Sequence, residues 1–356
     1  MSLELIVAGF LLLSLTCYVL TGGADYGAGV WYLLAIGPRS QGHRALIHQA
    51  LAPIWEVNHV WLILILVILF TAFPVAFAAI MTALHIPLTV LLLGIVLRGA
   101  AFVFTGYGKG SGRSSGPWDV GFAAASLLAP FLLGVTIGAI SSGAFNTAPV
   151  FAERFLHPWL QPFPLAVGAF TVALVAYLAA VYLILEARDE AIQEAFRRRA
   201  IVAGLVVGGL EELVLLLSRT GAPLIWDHLT HNQWGLGAQG VTAMTGIAVI
   251  WFLWQKQYRH ARVCAVGQVI VTIWTWALAL FPHLVPPDLT IFNAAAPTAT
   301  LQALVVALIA GVLLLFPALY YLLRVFKKPA VFGENPSKPP TDGDVGSNFN
   351  EAFHDQ

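Results

Sequence analysis

Carboxylates inside apolar stretches are the places where this sequence could do chemistry. Asp25 lies in "YVLTGGADYGAGVWYLLAIG" (18–37), surrounded by Gly22, Gly23, Gly27 and Gly29, and Glu56 lies in "LAPIWEVNHVW" (51–61). Burial disfavours the charged form of a carboxyl and can bring proton exchange within reach of neutral pH. Asp25 and Glu56 are therefore candidates for a proton path. Trp55, Asn58, His59 and Trp61 stand beside Glu56, and Asn58 and His59 could orient water there. The competing reading for both acids is a helix cap or an interhelix hydrogen bond. Glu211 and Glu212 form a second intramembrane pair. Neighbouring positions differ by about 100° around a helix, so both cannot face lipid. They serve either a hydrogen bond to a neighbouring helix or proton transfer. Arg98 and Glu186 fall near helix ends, where snorkelling to the interface accounts for them.

Metal and cofactor chemistry find little support. Cys17 and Cys264 have no CxxC spacing, which predicts neither a disulfide framework nor a thiolate metal site. Of ten histidines, only His59 and His85 are placed at membrane depth. They are separated by roughly 39 Å of helix, so one iron cannot take both. Met81 and Met244 offer no matching partner. The sequence thus predicts no haem or metal ligated by this chain and no side chain in direct catalysis. It contains no nucleotide-binding or HExxH motif.

The elements that must position these acids are membrane spans. Of 356 residues, 59% are hydrophobic and 10% charged, with a mean hydropathy of +0.81. That composition defines an all-α polytopic membrane protein. Zero net charge gives no electrostatic case for nucleic acid. Apolar runs predict nine helices, at 3–22, 57–80, 84–105, 119–140, 164–186, 200–218, 238–256, 262–282 and 301–325. No Asp, Glu, Lys or Arg occurs from Val57 to Leu97, a run about twice the length needed to span, so it must turn between Pro74 and Pro87.

Alternate loops collect the bases: Arg39, His43 and Arg44; Lys109 and Arg113; Arg188 and Arg197 to Arg199; Lys256, Arg259 and Arg262; Arg324, Lys327 and Lys328. The opposite side has only Arg154 and Arg219. The positive-inside rule makes the first side cytoplasmic, with the N-terminus outside and the C-terminus inside. Residues 1–330 are then the membrane domain, and the polar, Pro- and Gly-rich segment 331–356 is a disordered cytoplasmic tail. "RDEAIQEAFRRR" (188–199) is predicted as an amphipathic extension of the fifth span. Gly23 with Gly27, and Ala24 with Ala28, are small-xxx-small pairs. They allow close helix approach and let a neighbour's polar group reach Asp25.

"TGGADYGAG", "LAPIWEVNHVW" and "FPHLVPPDLTIFNAAAPTATL" (281–301), in that order, resemble subunit II of cytochrome bd-type ubiquinol oxidases over nearly the whole chain apart from the tail. The resemblance implies nine spans arranged as two four-helix bundles plus one peripheral helix. It implies a bacterial cytoplasmic (inner) membrane location and a pseudo-symmetric heterodimer with a haem-bearing subunit I. A small single-helix subunit is an optional third component, membrane lipid surrounds the complex, and nucleic acid is no partner. Haems b and d, or b only, belong to the partner subunit, and the substrate is ubiquinol or another quinol. Subunit II ligates no haem and supplies a cytoplasmic proton path, here through the Trp55–Glu56 pair, in the reduction of dioxygen to water. Two departures stand out: many relatives carry Asp where Glu56 stands, and many carry an acid where Gly22 stands. The alternatives are a secondary transporter with a glycine-broken first helix, or a purely structural scaffold.

Overall fold

The computed structural model describes residues 2–35, 40–51, 55–110, 116–145 and 150–326. The predicted tail, 331–356, lies outside them. Helix α1 (Leu3–Leu33) continues well past its expected end at Gly22. Its glycines do not break it. They stay helical because that face is covered by neighbouring helices rather than water, so a transporter-like interruption of the first helix is absent. A short helix α2 (Ser40–Leu51) follows, where only a loop was expected.

The long apolar run is divided into α3 (Trp55–Ala72), α4 (Pro74–Ala83) and α5 (His85–Gly110). The predicted 57–80 span is bent by 117° between α3 and α4. Pro74 has no N–H to continue the α3 ladder, and Phe73 leaves the helical region (φ −131°, ψ 57°). The Ala72 carbonyl at the break accepts a bond from the Ala296 amide at 2.8 Å. The break is thus satisfied by a segment distant in sequence.

The chain continues through α6 (Gly116–Ser142), a short α7 (Phe151–Phe155), α8 (Pro162–Glu186) and α9 (Glu190–Gly221). The predicted extension of the fifth span belongs instead to the sixth. Asp189 caps α9, its carboxylate accepting from the amides of Ala191 and Ile192, and a strong cap starts a new helix. Next come α10 (Pro223–Thr230), α11 (Gln233–Trp254), α12 (Tyr258–Leu280), a small antiparallel hairpin and α13 (Thr298–Phe326). In the hairpin, β1 (His283–Val285) pairs with β2 (Leu289–Thr290), His283 opposite Thr290 and Val285 opposite Leu289.

Among the described residues, eight helices are long and apolar enough to cross a membrane, and the bent α3–α4 pair would be a ninth. Each predicted span thus falls on a helix or, for 57–80, on that pair. The described residues up to Ala307 form one compact unit, and those from Leu308 to Phe326, the end of α13, belong to a second. In the first unit α8 is the hub, packing on α1, α6 and α9. Its buried Tyr177, Leu178 and Ile184 share a core with Tyr32, Phe122, Phe196 and Leu253.

Candidate functional site: a buried polar cluster on the first helix

Glycines let α1 come close to its neighbours. A Cβ at Gly27 would overlap the Val175 carbonyl of α8, and one at Gly29 would overlap the Ser126 hydroxyl of α6. With α1 held this near, Asp25 meets Arg98 of α5. An Arg98 Nη2 donates to Asp25 Oδ1 at 2.7 Å and to the Asp25 backbone carbonyl at 3.1 Å, while Nε donates to Ser126 Oγ at 3.0 Å. The guanidinium also sits 4.8 Å from the Tyr26 ring centroid and 5.2 Å from that of Phe122. Asp25 and Arg98 are 3% and 2% exposed. An ion pair so removed from water holds only because each partner neutralises the other and accompanying hydrogen bonds satisfy them.

This arrangement corrects the snorkelling assigned to Arg98. Helix α5 continues twelve residues past Arg98, so its side chain has no interface within reach and turns inward instead. Asp25 was expected at the inner end of the first span. It lies inside α1, eight residues before its last residue.

A second polar group adjoins the pair on the same face of α1. The Tyr18 hydroxyl donates to that of Tyr26 at 3.2 Å, and both side chains are buried. Tyr18 folds over Gly22, where an added Cβ would lie 3.1 Å from Tyr18 Cε2 and 3.6 Å from Asn58 Cβ of α3. Asn58 is 2% exposed, and among the described residues neither its Oδ1 nor its Nδ2 has a hydrogen-bond partner. Trp61 is buried and His59 half-buried on the same helix. The side chains of Trp55 and Glu56 lie outside those described, although their backbone begins α3. Tyr18, Tyr26 and Ser126 were missed in the sequence. The eight-residue spacing of the tyrosines leaves them about 80° apart around the helix, within reach of two long side chains, and was the available signal for two of them.

At the end of the molecule where α1 finishes, bases and aromatic rings converge. Arg44 lies 4.8 Å from the Tyr32 ring and 3.9 Å from Asp119, and Tyr32 donates to Asp119 at 2.7 Å. Arg199 stacks on Trp31 and Phe196, and Arg262 on Tyr182. Packing thus places together bases that the loop alternation had assigned to one side.

Glu211 and Glu212 occupy a different setting. They line a cavity of about 800 Å³ bounded mainly by α8, α9, α11 and α12, with Tyr177, Gln268, Thr242 and Trp276 among its walls. Among the described residues, the interhelix hydrogen bond considered for them does not form. Polar bonds in the cavity walls run instead from the Tyr177 hydroxyl to Gln268 Oε1, at 3.0 Å, and from Trp276 Nε1 to Ser141 Oγ, at 2.9 Å. His85 packs on Phe155 and is exposed, away from His59. Among the described residues no group of three or more His, Cys, Asp or Glu side chains could hold a metal ion.

Comparison with known proteins gives this architecture a family. Residues 3–326 match the profile of the cytochrome bd terminal oxidase subunit II family, and the chain belongs to it. The chain is 23% identical over 346 residues to the Escherichia coli (strain K12) cytochrome bd-I ubiquinol oxidase subunit 2, covering 85% of this chain and 89% of that one. It is 22% identical over 326 residues, 87% of this chain and 92% of the other, to a Bacillus subtilis (strain 168) protein named, provisionally, as a cytochrome bd menaquinol oxidase subunit II. Its fold matches a chain of the bd oxidase from Geobacillus thermodenitrificans with a TM-score of 0.70 at 24% identity, covering 92% and 99% of the two chains. The protein is therefore an integral membrane subunit of a quinol oxidase, an oxidoreductase complex that includes a subunit I.

Proposed function

We propose that this chain supports a haem-bearing subunit I, ligates no haem itself, and admits protons from the cytoplasmic side through Glu56 for the reduction of dioxygen to water. Quinol, either ubiquinol or another quinol, is oxidised at the partner. The complex lies in a bacterial cytoplasmic membrane, and the basic end formed by Arg44, Arg199 and Arg262 faces the cytoplasm. The spans form two four-helix groups with one helix peripheral. Helix α8 joins the groups, packing on α1 and α6 as well as on α9 and α12.

The observation that carries the proton path is the buried Asn58 amide, two residues beyond Glu56, with neither polar atom bonded. A buried polar group without a protein partner is ordinarily satisfied by water, and internal water is what a proton path needs. Asp25 joins the path through its ion pair with Arg98. It is the counter-charge of the Arg98 guanidinium, so it sets the local field while Glu56 carries the proton.

Glu56→Gln keeps size and hydrogen bonding but cannot release a proton. The expected result is an assembled complex with normal haem content and strongly reduced oxygen consumption, while Glu56→Asp keeps a substantial part of the activity. Wild-type turnover by Glu56→Gln with haem intact would place proton uptake elsewhere. Loss of haem would make Glu56 a structural cap.

A further inference from the structure

From the side chains gathered over Gly22, we infer that Asn58, Tyr18 and Tyr26 form a proton relay through the membrane interior of this chain, with the Asp25–Arg98 pair as its charged wall. The inference extends the proton path proposed above. It rests on three geometric facts. First, the Asn58 amide is buried with both polar atoms unbonded, a costly arrangement unless water or a passing proton carrier uses it. Second, the Tyr18 ring and the Asn58 Cβ meet over the same glycine, which brings α1 and α3 together without an intervening side chain. Water held on the Asn58 amide is the link the relay takes from there to the Tyr18 hydroxyl. Third, the Tyr18 hydroxyl already donates to Tyr26, so the next link exists in the protein itself.

Each hop passes on one proton, with its unit of positive charge, and leaves every group with the protons it began with. A proton arriving on the water displaces one of the water's own protons onto the Tyr18 oxygen, and Tyr18 releases its hydroxyl proton to the Tyr26 oxygen. Tyr26 in turn gives up its own proton toward the reduced oxygen species that the oxidase must protonate. O–H bonds form and break in equal number, and rotation of the two hydroxyls resets the pair. No side chain has to hold a net charge in the membrane interior. The Arg98 guanidinium over the Tyr26 ring disfavours a proton stopping there as an excess cation, and Asp25 balances that guanidinium. Tyr18 and Tyr26 are positioning and relay groups here and touch no substrate.

The test uses the intact oxidase complex. Tyr18→Phe and Tyr26→Phe keep the rings and remove the hydroxyls, and Asn58→Leu keeps volume and removes the orphan amide. Each should lower oxygen consumption about a hundredfold, the lower end of what a positioned proton-transfer group contributes. The ratio of rates in H2O and D2O should rise, while haem content and the rate of haem reduction by quinol stay unchanged. Asn58→Leu should also raise or leave unchanged the thermal midpoint, because a purely structural amide would do the reverse. Wild-type turnover and isotope ratio in all three variants would overturn the relay even if Glu56→Gln is slow. Slow Phe variants beside a fully active Glu56→Gln would uphold the relay and refute only Glu56 as its source. If Tyr18→Phe loses haem, Tyr26→Phe decides, since its ring remains beneath Arg98.

Discussion

Among the described side chains, Asp25 on one hand and Glu211 with Glu212 on the other enter the apolar interior in contrasting surroundings. Around Asp25 the glycines are filled by neighbours: Val175 crowds Gly27, Ser126 crowds Gly29 and Tyr18 covers Gly22. Around Glu211 and Glu212 a Cβ at Gly208, Gly209 or Gly240 would meet nothing within 4 Å, although Gly204 and Gly246 are covered by Tyr177 and Gln268. The first acid is paired with an arginine and almost wholly buried. The second pair lines a cavity, and no described arginine, lysine or histidine reaches it within ion-pair distance. Glycine therefore has two uses in one chain. On α1 it brings backbones together around a charge that must be neutralised. At Gly208 and Gly209 on α9 it leaves space that no neighbouring side chain fills.

Breaking the ion pair should produce the largest effect. Arg98→Met leaves a carboxylate buried without its cation, which costs about 3–5 kcal/mol. The expected outcome is a sharp fall in the yield and thermal midpoint of the purified complex. Adding Asp25→Leu should recover most of the loss, since replacing both charges by apolar groups is often neutral. A single Arg98→Met variant as stable as wild type would remove the contrast between the two sites.

Gly27→Val should come next. The added side chain would overlap the Val175 carbonyl, and overpacking costs about 1–3 kcal/mol where the neighbour is backbone that cannot step aside. Gly208→Val, at an open position, should change stability by no more than about 0.5 kcal/mol, read from the thermal midpoint. Equal losses from the two variants would mean that α9 is as closely packed as α1.

The smallest effect belongs to the cavity acids. Glu211→Gln or Glu212→Gln removes a carboxylate that no described cation balances, so stability should stay within about 1 kcal/mol of wild type or rise slightly. A midpoint drop as large as that of Arg98→Met would show that these acids are paired after all.

Much of the fold was legible because it follows from local physics. Apolar length fixed nine segments that the helices match. Three bases from alternate loops, Arg44, Arg199 and Arg262, are collected by packing at one end. Where the sequence reading went wrong, a distant contact had decided. The bend at Phe73 has Pro74 as its local cause, but the Ala72 carbonyl is completed by Ala296. The reach of α1 to Leu33 depends on α8 and α6 covering its glycines.

The candidate site divides in the same way. That Asp25 and Glu56 sit in apolar surroundings, among glycines and beside a Trp–Glu pair, is determined by the sequence alone, because hydropathy is a property of residue order. That Asp25 faces Arg98, that Tyr18 reaches Tyr26, and that Asn58 is left with both polar atoms unbonded was decided only by tertiary structure. Partners 73 residues apart, as Asp25 and Arg98 are, meet only once helix rotation and depth are set by packing, and no local pattern encodes either.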